Sequence, residues 1–278
     1  MSLKSIQAAL CILAVIMTGP ISAAALEPGA APFSATIAGS SESVTLPTPR
    51  PATTLVPRFS GKSPTNLGVF KSVAISAARL PAAAKWQAAR AHDHTALFKA
   101  QCDGLTVRGC NTSFASKMQA VAGRAAGLSD RALLDLVNRT VNGAMRYRED
   151  RAIWDVGDYW ASPGEMAIKG AGDCEDFAIA KYWLLRSLGV ADDKLQLVVL
   201  QDTRRRLFHA VLVVHTASGA YVLDNVSNRL RPDTAYAQYH PIMSFAGNKN
   251  FIHGFAAGTR STTAMPSDLS AVAPGSGM

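Results

Sequence analysis

Apolar positions recur at helical spacing through the first half of the chain and switch to strand spacing in the second. Trp86, Ala89 and Leu97 mark a helix within 83–100, and Ser129 caps a second one in which Leu133, Leu136, Val137 and Val141 share a face. Phe177, Ala180, Leu184 and Leu188 do the same between a Gly-Ala-Gly lead-in and Gly189, which stands where a C′ residue belongs. That spacing predicts a helix starting at Cys174 and buried on one side, with Asp173 at the N-cap and Asp176 completing a capping-box-like pair. The period then changes. LQLVVLQ (195–201), LFHAVLVVH (207–215) and AYVLDNV (220–226) read as strands, and TASG at 216–219 joins the last two as a hairpin. Helices followed by antiparallel strands predict an α+β domain, with the helix from Cys174 packed on the sheet.

The hairpin register carries chemistry. A tight turn at 217–218 sets Asp224 opposite Val211 and makes His209 its diagonal neighbour on one sheet face. A His and an Asp inside strands otherwise rich in Val and Leu each carry a burial cost that pairing relieves. Such a pair is either a structural contact or a base with its orienting carboxylate. His215 shares the face from the turn end, His92 and His94 point to different sides of their helix, and His240 and His253 fall in loops.

Outside the periodic stretch the composition is different. Residues 1–25 have the form of a secretory signal: Lys4, an apolar run from Ala8 to Met17, and small residues at 22–25. Residues 26–66 form a flexible Pro/Ser/Ala-rich leader, 67–257 the folded domain, and 258–278 a disordered tail. No other run is long enough to span a membrane, so the mature protein is expected to be exported to the periplasm without an integral span. The net charge of +8 is scattered apart from Arg204, Arg205 and Arg206, a solvated loop in its simplest reading, and nothing resembles a nucleic-acid module.

Export makes disulfides allowed, and Cys102 and Cys110, with two glycines between them, are read as a pair. Once Cys11 leaves with the signal, Cys174 is left over, at a helix start where free N–H groups and the helix dipole favour a thiolate. Asp173, Glu175 and Asp176 oppose that, unless a hard cation with oxygen ligands, such as calcium, neutralises them; ordinary helix N-terminus electrostatics is the plainer reading. Trp154 and Trp160 in the 151–163 loop line a cleft or plug the core.

GDCEDFAIAKYWLLRSLGV, together with NRTVN (138–142), IWDVGDYWASP (153–163), LFHAVLVV and YVLDNV, resembles the bacterial transglutaminase-like cysteine proteinases of the papain-like superfamily. The resemblance implies a papain-like/transglutaminase-like core with Cys174 as nucleophile, His209 as acid/base and Asp224 as orienter. It implies calcium on Asp173 and Glu175, with Asp176 beside them. It further implies a large surface adhesin as substrate, cut near its N-terminus at a pair of small residues to control biofilm attachment. An inner-membrane receptor responsive to cyclic di-GMP is the implied regulatory partner. The long leader departs from the family pattern. The same three residues also serve acyl transfer to an amine, as in a transglutaminase or amidase, and the fold alone serves a non-catalytic periplasmic binding protein.

Overall fold

Strand-forming sequence extends well beyond the three runs read above. A computed structural model describes residues 59, 64, 66–99, 102–255 and 265–278. The expected signal segment 1–25 and nearly all of the leader 26–66 lie outside these described residues. Seven antiparallel strands make one sheet: β1 (Val73–Ala77), β4 (Leu195–Asp202), β5 (Leu207–Thr216), β6 (Gly219–Leu223), β7 (Arg231–Pro232), β8 (Tyr239–Ala246) and β9 (Lys249–Gly254). Their order is β1-β9-β8-β4-β5-β6-β7. A short parallel pair, β2 (Arg146–Tyr147) with β3 (Ala171–Gly172), stands apart from it.

The helices are α1 (Ala83–Ala89), α2 (Ser113–Ala125), α3 (Asp130–Ala144), α4 (Asp150–Trp154), α5 (Pro163–Lys169) and α6 (Cys174–Ser187). Helix α6 packs on β5 and β4 with one side and on α3 and α5 with the other. It is therefore buried all round from Cys174 to Leu185, not on the one side that the spacing predicted. A helix between two layers has no solvent face to keep polar. Even Lys181 is fully buried in it. At its end Val190 N–H donates to Leu185 O at 3.0 Å and Gly189 N–H to Arg186 O at 3.1 Å, the two bonds of a Schellman stop.

Along β5 the side chains alternate. Leu212 and Val214 join Leu197, Val199 and the α6 side chains in the main core, while Val211 and Val213 join Val198, Leu200, Val222 and Tyr239 on the other face. The hairpin has the expected register, with Thr216 paired to Gly219 and Leu212 to Leu223. Cys102 and Cys110 form a disulfide.

Several expectations need correction. The helix read over 83–100 stops at Ala89, because Arg90 turns aside to donate to Gly247 O and Asp192 Oδ2, each at 2.6 Å. His92 and His94 therefore stand in a bend before a single 3-10 turn, Thr95–Phe98. The 151–163 stretch is helical at its start as α4 and ends on Ser162, whose capping box with Glu165 opens α5. His240 and His253 lie on β8 and β9, not in loops. Finally, 265–278 is not a disordered tail over its described length. Val272 is buried in the main core, and the backbone of 275–278 bonds to β5. Its Pro, Ser and Gly content reads as unstructured because backbone pairing leaves no side-chain pattern.

Candidate active site

Gly172 delivers the chain into α6 under a tight constraint. A Cβ there would lie 2.5 Å from Asp176 Oδ2 and 2.6 Å from Asp176 Cβ, so only glycine lets that carboxylate fold back against the strand. Asp176 thereby accepts a bond from Ala161 N–H at 2.8 Å. Asp173 occupies the N-cap position with extended backbone, as expected, but its side chain makes no capping bond.

Cys174 follows, buried on the first turn. Its thiol donates to Glu175 Oε2 at 3.4 Å, and the backbone N–H of Ala210 on β5 points at the sulfur. Burial pushes the thiol well above its ordinary range, and the charge of Asp173 pushes it further; the Ala210 N–H works the other way.

One residue before Ala210, His209 Nε2 meets Asp224 Oδ1 at 2.9 Å, with both side chains buried. Asp224 sits just past the end of β6, where the hairpin register places it. Burial would raise its carboxyl. The bond and charge from His209, then the bonds from Tyr239 and from Val226 N–H, outweigh burial and hold it well below the usual carboxylate range. Two of the three expected residues are thus joined directly. Cys174 is brought to the same strand at Ala210, and no hydrogen bond joins it to the His209 ring among the described residues. Sequence reasoning missed Tyr239, which donates to Asp224 Oδ2 at 2.6 Å.

Two other histidines have structural partners. His215 bonds Gln196 Oε1 at 2.7 Å. His253 lies between Ser72 Oγ and Ser244 Oγ, each at 2.7 Å. Of the two indoles, Trp160 is committed to Asp158 Oδ1 at 3.0 Å, whereas Trp154 Nε1 is buried without a partner.

The acids beside Cys174 are part of a larger group. Asp150, Asp158, Asp173, Glu175 and Asp176 fall into overlapping triplets whose oxygens lie within 4.8 Å of one another. Asp150 Oδ1, Asp173 Oδ1, Glu175 Oε1 and Asp176 Oδ2 are buried with no hydrogen-bond partner. Burial raises Asp150 to about 6 and Asp173 to about 7, and lifts Glu175 and Asp176 well above the ordinary range. Four orphaned buried carboxylate oxygens are costly unless a cation satisfies them, and an all-oxygen set of this size suits calcium. Asp150 and Asp158 were not foreseen. Their only local signal was acidity beside the aromatic DYW stretch, since α4 and its loop reach α6 only through the tertiary fold.

A family profile described as bacterial transglutaminase-like cysteine proteinase matches residues 102–250. Among solved structures, Legionella pneumophila LapG is similar at 27% identity over 50% of this chain and 79% of that one, with a TM-score of 0.44. The same protein in its calcium-bound form is similar at 22% identity over 67% and 91%, with a TM-score of 0.45. A putative cysteine protease from Cytophaga hutchinsonii is 15% identical over 64% and 60%, with a TM-score of 0.32. No curated protein sequence matches the chain.

Proposed function

The chain belongs to the bacterial transglutaminase-like cysteine proteinases, a family of cysteine peptidases, and from that premise we propose that Cys174, His209 and Asp224 are its catalytic set. The observation that carries this is the buried His209–Asp224 bond of 2.9 Å, one residue along β5 from the N–H that faces the Cys174 sulfur. Because Nε2 is engaged by Asp224, Nδ1 is the nitrogen left to take the thiol proton. The step requires the thiol to leave Glu175 and turn to the ring.

The sulfur then attacks a substrate carbonyl carbon, and the charge that develops on its oxygen meets the Cys174 backbone N–H at the start of α6. His209 returns its proton to the departing amine as the C–N bond breaks, leaving a thioester. It next takes a proton from the water that displaces the sulfur. Asp224 keeps the ring in one tautomer and supports the imidazolium. Asp150, Asp158, Asp173, Glu175 and Asp176 would hold a calcium ion, whose positive charge would offset part of the negative charge beside a nascent thiolate.

Family resemblance supports an adhesin anchored at the cell surface as substrate, cut near its N-terminus at small residues to control biofilm attachment. It also supports restraint by an inner-membrane receptor responsive to cyclic di-GMP. The apolar stretch Ala8–Met17 and the Cys102–Cys110 disulfide support a periplasmic location. Comparing surface and supernatant proteomes of cells carrying the native chain or Cys174→Ala tests the proposal. Release of a large surface protein only with native chain is expected; equal release with both would overturn it.

A further inference from the structure

Strand β6 pairs only with residues 212–216 of β5, which leaves the same edge of β5 open from Val211 back toward Arg206. Residues two apart on a strand present their N–H groups to the same edge. On that edge the Ala210 N–H faces the Cys174 sulfur, and the Phe208 N–H is already taken, donating to Ser276 O at 2.8 Å. Gly275 N–H donates to Phe208 O at 2.9 Å, Met278 N–H donates to Arg206 O at 3.3 Å, and Leu207 pairs antiparallel with Gly277.

The segment therefore pairs with residues 206–208 through one antiparallel bridge and three backbone bonds, laid one hydrogen-bonding position from the nucleophile. It is anchored upstream by buried Val272, with Leu269 against the core. A Cβ on Gly275 would lie 3.4 Å from Asp173 Oδ2 and 3.4 Å from the Tyr147 hydroxyl, so this backbone runs directly beside the residue that precedes Cys174. Pro274, Gly275 and Ser276 close one side of a cavity whose other side includes Asp150, Arg151 and Asp173. Both Cys174 and His209 are covered, at 2% and 1% exposure.

We infer that residues 275–278, anchored by 269–272, occupy the edge of β5 on which a substrate's extended chain docks by strand addition, so that the protein carries its own competitor and must release it to act. The inference rests on the reading of Cys174 as the nucleophile and adds regulation to it. Strand addition supplies affinity through backbone bonds and so accepts either an internal segment or a foreign one. The run Gly275-Ser276-Gly277 offers no side chain larger than a hydroxymethyl where the strand passes the site.

The test measures the rate at which iodoacetamide labels Cys174, a readout independent of any peptidase substrate. It compares the full chain, a chain lacking residues 274–278, and full-length Gly275→Pro, which removes the bond to Phe208 O and cannot adopt the φ of +83° found there. A synthetic peptide of residues 269–278 is added to each, and thermal unfolding confirms folding. Labelling should accelerate at least roughly fivefold in both variants, as expected when a mostly closed state is opened, and the peptide should slow it again with saturation. Unchanged labelling in a folded variant, or a peptide without effect on an accelerated one, overturns the inference. Faster labelling with no cleavage of any protein would keep the strap and refute the peptidase reading instead.

Discussion

Tyr239 donates its phenolic hydrogen to Asp224 Oδ2 at 2.6 Å, so the carboxylate that holds His209 through one oxygen is itself held through the other. The Tyr239 ring also stands edge-on to the His209 ring at 5.8 Å and stacks on Tyr236 at 4.9 Å. Tyr239→Phe keeps that packing and leaves a buried oxygen without its donor, a loss of about 1–3 kcal/mol. Steady-state kinetics should show kcat reduced roughly tenfold with KM nearly unchanged, since about 1.4 kcal/mol of lost transition-state support is a factor of ten. A variant that loses stability but keeps kcat would reduce Tyr239 to a packing residue.

Gly172 is a second point of leverage. Any side chain there drives against Asp176, and overpacking of this kind costs about 1–3 kcal/mol. Gly172→Ala should lower the unfolding midpoint correspondingly. It should also lose the stabilisation gained from added calcium, because Asp176 can no longer fold back. Differential scanning fluorimetry with calcium or EGTA reads both effects.

The acid cluster makes its own prediction. Anything that binds the folded chain alone stabilises it by mass action. Calcium should therefore raise the unfolding midpoint, EGTA should abolish cleavage, and calcium should restore it. Asp150→Asn, which neutralises a residue outside α6, should weaken calcium binding roughly tenfold or more by isothermal titration calorimetry. Unaltered affinity would remove Asp150 from the ligand set.

His253 should contribute a loss of stability in mild acid for a reason unconnected with the site, opposite in sign to the contribution of the raised carboxyls there. His253 is buried between two serine hydroxyls, and burial holds it down to about 4, against about 6.5 in an unfolded chain. The unfolded chain alone takes up this proton between those values. The stabilisation is thus complete above about pH 6.5 and declines by about 1.4 kcal/mol per pH unit as the pH falls toward 4. His253→Gln should shrink the difference in urea-derived stability between pH 7 and pH 5 by about 2 kcal/mol. His215, held down to about 4, retains a similar dependence in that variant.

Part of this was legible from residues alone. Helix α6 and the hairpin declare themselves through periodicity and turn chemistry, and a one-residue slip would send His209 and Asp224 to opposite faces, so their pairing could be read directly. Strands β1, β8 and β9 could not. Pro241 interrupts the β8 pattern, and β1 finds its partner β9 across most of the domain. The contributions of Asp150, Asp158 and Tyr239 arise where elements distant in sequence meet, and nothing in their immediate neighbours marks them. Residues 274–278 are held by main-chain bonds, which no side-chain pattern records.

The claim on which the rest depends is that His209 activates Cys174. The direct measurement is the rate of Cys174 alkylation by iodoacetamide from pH 5 to 9 in calcium, for the native chain and for His209→Ala. The native chain should react at least roughly a hundredfold faster near neutral pH, the low end of what a positioned base provides, with the advantage vanishing as the pH approaches the titration of an unassisted thiol. Superimposable profiles for the two proteins would contradict it.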